Sequence, residues 1–172
     1  MDKVITQKTA EALQEMIDES FLMTAKIDRM QSVLDADLAY NNTARLIHHG
    51  MAHKYSGFFA DEIGNLGLQG YDISVKYGNI PRIDKNYSSA KEVIYDLKNN
   101  VLNYQQMLNG CVKVIIENMD YEVLADMIPI MREHNQIVRQ VILMCNKIDI
   151  YGKDPAFDQH ITTGFWILPQ TE

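Results

Sequence analysis

The chain has 172 residues, of which 47% are hydrophobic and 23% charged, an ordinary globular composition with enough apolar material for one sizeable core. A net charge of −7 without any Lys/Arg run argues against gripping phosphate backbones, so DNA binding is not expected. The polar opening MDKVITQKTAEALQEM lacks the apolar core of a signal peptide, and no window approaches about eighteen uninterrupted apolar residues, so one cytoplasmic domain over residues 1–172 with no membrane span is expected.

The first helix is expected over residues 9–34, where Leu13, Met16, Ser20, Met23, Ile27, Met30 and Leu34 recur at spacings of three and four, a seam that faces other helices. Asp35-Ala36-Asp37 breaks it, and Asn41, Asn42 and Thr43 offer caps for the next. The second helix is expected to reach Tyr77, where Gly78-Asn79-Ile80-Pro81 would stop it. Its stripe reads Ile47, Met51, Tyr55, Phe58, Leu66, Ile73 and Tyr77, with the carboxylate of Glu62 in line.

A capping box, Ser89 with Glu92, opens the third helix, which carries Val93, Leu97, Val101, Tyr104, Leu108, Cys111 and Ile115 on one face and ends near Asn118. The fourth, residues 120–149, shows Leu124, Met127, Met131, His134, Val138, Val141, Cys145 and Ile148 in the same alternation; Pro129 predicts a kink, because the register continues through it. Cys111 and Cys145 lie far apart in apolar stripes and read as inert core thiols. Periodicity fades after Gly152, and the apolar Phe165-Trp166 tail is expected to dock on the bundle or on a neighbouring subunit. The pattern as a whole predicts an all-α four-helix bundle with a non-helical C-terminal tail over about residues 150–172.

Glu62 and His134, a carboxylate and an imidazole on different helices, are what a metal site inside such a core requires, although no Glu is followed three residues later by His, the spacing of in-bundle di-iron proteins. The densest group of possible ligands is His48, His49 and His53; His49 and His53 are four apart and share a helix face, a spacing that can chelate a divalent ion. Gly50, Gly57 and Gly64, with Ala60 and Gly67 beside them, project opposite the core stripe. Glycine inside a helix costs up to about 1 kcal/mol relative to alanine, so this face is expected to pack closely, most simply by self-association across a two-fold axis. A further reading places a small-molecule pocket in the core, lined by Met and by Tyr55, Tyr71 and Tyr104, with Glu62 and His134 as polar anchors.

TAKIDRMQ at residues 24–31, His53 at its distance before GNIP at residues 78–81, and DMIPIMREHNQIVRQVILM at residues 126–144 together resemble the ferritin-like superfamily, and within it the DNA-protection-during-starvation (Dps) type. The resemblance implies a ferritin-like four-helix bundle in a homo-oligomer that oxidises or stores iron at a site shared between subunits. His53, and Asp72 in place of a glutamate, match that family's ligand positions; Gln31 stands where a first-helix histidine is expected, and Gly57 and Leu68 stand at two further carboxylate positions. The residues expected to hold metal are thus His49, His53, Glu62, Asp72 and His134. The alternative is a non-catalytic dimer of ferritin-like ancestry with a degenerate site. Ferritin-like topology also needs the link between the second and third helices to run back along the bundle. Residues 78–88 extend at most about 36–40 Å, barely the length of the helices, so an alternating up-down bundle with short loops is the competing topology.

Overall fold

The computed structural model describes residues 4–161; the expectation for the Phe165-Trp166 tail lies outside them. Among the described residues every regular element is helical. α1 (Gln7–Ala36) begins at Thr6, whose hydroxyl accepts from the Thr9 amide, and it buries every residue of the expected seam from Leu13 to Leu34.

α2 (residues 41–71) departs from expectation in three ways. Its N-terminus is capped from a distance, since the Asp158 carboxylate accepts from the amides of Asn42 and Thr43 and from the Thr43 hydroxyl at 2.7–3.0 Å. A carboxylate there satisfies orphan amides and complements the positive end of the helix. After an α-helical start at Asn41–Ile47, the helix passes through π turns at His48–Ala52, Tyr55–Phe59 and Ile63–Leu68, with α-helical Ala60–Glu62 between them. Each π turn takes up an extra residue, so the buried line shifts from the expected Phe58, Glu62 and Leu66 to Phe59, Ile63 and Leu68. Glu62 is therefore half-buried beside the core line, and Leu66 is exposed.

The third departure is the stop. α2 ends at Tyr71 rather than Tyr77, because Asp72 adopts the left-handed conformation with φ 60°. The Asp72 amide donates to Gln69 and the Ile73 amide to Leu68, the paired bonds of a Schellman cap, with Asp taking the position glycine usually fills.

This early stop leaves residues 72–88 as a connecting strap. The Gln14 side chain clips it at Lys76, donating to its carbonyl at 2.8 Å and accepting from its amide at 2.9 Å. Arg29 holds the other end, donating to the Lys85 carbonyl and to Asn86. The strap therefore follows α1 for about 22 Å, at 1.5 Å per helical residue between these two clips. α3 (Ala90–Glu117) starts as read: the Glu92 amide donates to Ser89 Oγ, while the Glu92 carboxylate accepts from Ser88. α4 (Tyr121–Tyr151) continues through Pro129, and a short α5 (Phe157–His160) follows, so the part of the tail up to Ile161 is partly helical.

The bonds between helices set their directions. Asp28 pairs with His48 and Thr24 with the Ala52 carbonyl, so α2 runs antiparallel to α1. The Ser20–Tyr104 bond, with Asn86 near Arg29 and Asp120 on Thr6, makes α3 antiparallel to α1 as well. Gln105 meets His134 and Ile94 meets Cys145, so α4 returns along α3. α2 and α3 consequently point the same way, and the strap is the crossover between them; directions do not simply alternate.

The glycines do not form one outward face. Gly50 and Gly64 are buried, and a Cβ on Gly64 would meet Val75 of the strap at 3.2 Å, while one on Gly67 would lie 3.0 Å from Leu13. Close approach at these two positions serves α1 and the strap of the same chain. Gly57 alone of the Gly50/Gly57/Gly64 set is open, with nothing within 4 Å of a Cβ there. No helix among the described residues is long and apolar enough to cross a membrane.

Candidate metal centre

The first π turn of α2 gathers three imidazoles. At about 100° per residue, an α-helix would set His48 and His53 well apart around the axis. Instead the His53 amide donates to the His48 carbonyl, the five-residue closure of a π turn, and His53 comes back over His48. The ring centroids of His48 and His53 are 4.4 Å apart, those of His48 and His49 5.0 Å, and those of His49 and His53 5.2 Å. One ligand atom from each of the three lies within 4.8 Å of the others, the group of this kind found among the described residues.

Asp28 of α1 orients the cluster. Its Oδ1 lies 2.8 Å from His48 Nδ1. With an ionised carboxylate as acceptor, Nδ1 carries the proton and the Nε2 lone pair is left for a ligand. The His49 pKa is lowered first by burial and then by repulsion from His48, His53 and Arg45. A neutral imidazole, the form that binds metal, is favoured there.

Of the five residues expected to hold metal, the structure brings His49 and His53 together, joined by His48 of the same histidine group. Glu62 lies further along α2, and Asp72 is exposed at its end. His134 is fully buried on α4 and has both nitrogens engaged: Nε2 accepts from the Tyr55 hydroxyl at 2.8 Å, and Nδ1 donates to Gln105 Oε1 at 2.7 Å. Burial pushes its pKa down to about 3. Its surroundings are the rings of Tyr55, Phe59 and Tyr104, with centroids 4.7–5.7 Å away. Tyr104 in turn donates to Ser20, whose hydroxyl donates to the Met16 carbonyl. The expected core pocket around Tyr55, Tyr104 and His134 is thus filled by those side chains, which satisfy one another. Cys111 and Cys145 are buried and unbridged, and burial raises both thiol pKa values, that of Cys111 to about 12.

Sequence periodicity missed Asp28, and it gave no reason for His48 to share a face with His53. The available signal was a His-His pair followed by a third His five residues after the first, which converges only if the helix is π-helical. Beside the cluster, His53, Lys54, Ser56, Gly57 and Phe58 line an open cleft of about 480 Å³. A larger concavity, about 550 Å³, lies between α1 and the strap, with Glu15, Asp18 and Glu19 on one side and Tyr77 and Ile80 on the other. Compared with models of known protein families and with the sequences of characterised proteins, the chain matches none.

Proposed function

We propose that the protein is a ferritin-like four-helix bundle that binds one transition-metal ion through His48, His49 and His53. The observation that carries this reading is the convergence of three imidazoles on a single π turn, with a carboxylate behind one of them. The strap supports the ferritin-like part, because one long crossover between the second and third helices distinguishes that topology from simpler bundles. Iron oxidation, which the resemblance implies, uses carboxylate ligands between paired metals; the converging donors here are all imidazole, so the reading is metal binding rather than ferroxidase chemistry.

The test is calorimetric titration of chelator-stripped protein with Zn(II), and anaerobically with Fe(II), with light scattering on the same samples to read self-association. Wild type should take one ion per chain. His53→Ala and His48→Ala should weaken binding by more than the about 10–100-fold typical of losing an outer-shell partner, while Glu62→Gln and Asp72→Asn bind as wild type. Absence of stoichiometric binding, or equal binding after loss of the histidines, would overturn the proposal.

A further inference from the structure

We infer that this centre is open-faced: an ion held by His48, His49 and His53 keeps coordination positions directed away from α2, and a small anion occupies them. The inference rests on the metal-binding reading and extends it to the kind of ligand the metal would take.

All three donors arise from one turn of one helix, so they can occupy only the side of an ion that faces that turn. A tetrahedral ion with metal–nitrogen bonds of about 2.0–2.1 Å needs donors about 3.3 Å apart, a modest closure of the present 4.8 Å limit. The opposite side receives no ligand from α2. Asp28, the carboxylate bonded to the cluster, is turned to His48 Nδ1 and so orients a ligand instead of becoming one. Lys54 is paired with Glu133, so its ammonium is already engaged by a carboxylate. His53 is exposed and also lines the cleft of about 480 Å³, where Gly57 leaves room that a side chain would fill.

Charge selects the occupant. A divalent ion on three neutral imidazoles, even with the single carboxylate of Asp28 behind His48, keeps a net positive charge. Arg45, one turn before His49 on the α-helical start of α2, adds a further positive charge near enough to His49 to bear on it. Water fits an open position with three His ligands, as in catalytic zinc sites; this field favours its replacement by an anion.

Cobalt(II) reports the geometry, because its visible bands respond to added ligands. Co(II)-loaded protein titrated with azide at low salt should show a saturable one-to-one spectral change, absent in His48→Ala/His49→Ala/His53→Ala. Arg45→Gln should raise the azide Kd about three- to tenfold, the effect of removing one nearby charge in a largely aqueous dielectric. Asp28→Asn should weaken Co(II) affinity about 10–100-fold while leaving the azide response of the loaded protein intact. Histidine-dependent Co(II) binding with no azide response would overturn the open face and leave metal binding standing. A cobalt-dependent dimer lacking an azide response would also overturn it, by putting a partner side chain in the open position. Failure to bind Co(II) at all would remove the metal-binding reading itself.

Discussion

His134 should make the fold acid-labile in a defined window. The folded pKa is about 3 against 6.5 for an unperturbed histidine, because burial opposes the charged form. Between these values the unfolded chain binds a proton that the folded chain refuses, so stability rises with pH: the contribution is fully present above about 6.5 and is lost progressively as pH falls towards 3. Taking these two values, acidification from about pH 7 to about pH 5 removes about 2 kcal/mol, which for a domain of this size is a drop of about 4–8 °C in Tm. The perturbation is His134→Gln, which does not titrate and can still bond Tyr55 and Gln105. Urea unfolding followed by circular dichroism, with chelator present, gives the stability of both proteins at each pH. The exposed and half-buried histidines are common to both, so the difference in pH response isolates residue 134. Wild type should lose about 2 kcal/mol more than the variant on acidification; equal losses would refute the claim that a neutral imidazole is enforced by burial.

Two other perturbations follow from the ends of α2. Asp158→Ala removes the acceptor for two amides and a hydroxyl at the helix start and should cost about 1–2 kcal/mol in thermal unfolding, with Asp158→Asn recovering part of it; an unchanged Tm would show that the cap contributes nothing. Asp72→Gly relieves a left-handed residue and should stabilise by up to about 1 kcal/mol while leaving Zn(II) affinity unchanged in titration. A fall in affinity would instead make Asp72 a ligand.

What was legible in the sequence was whatever local α-helical geometry determines. The α1 seam and the Ser89/Glu92 start of α3 were readable because period and cap both lie within a few residues. α2 was misread where its geometry stops being α-helical. Three π turns displaced the buried line by one residue at Phe59 and Ile63 and by two at Leu68, which moved Glu62 off the core line and set Gly64 and Gly67 against the strap and α1 of the same chain. The stop at Asp72 was missed because Gly78 carries the commoner signal, and an aspartate in a left-handed cap is indistinguishable by sequence from one in a helix. The cap from Asp158 and the orienting role of Asp28 depend on residues far apart in the chain, which no local pattern reports. His134 was correctly placed in the core, yet its hydrogen bonds to Tyr55 and Gln105 required three helices to be positioned first.

The strap also bears on how the chain assembles. α1 with α2, and α3 with α4, are each neighbours in sequence and can close as local hairpins, the second through the tight turn at Met119. Contacts between the two hairpins, such as Ser20 with Tyr104 and Tyr55 with His134, span the crossover and require a much longer loop to be closed. Assembly is then expected to proceed by hairpin formation followed by docking, with the aromatic and hydrogen-bonded layer between the hairpins formed last. Substitutions in that layer should speed unfolding while leaving the folding rate nearly unchanged, so the residues that most tightly define the finished core would have little influence on how quickly the protein reaches it.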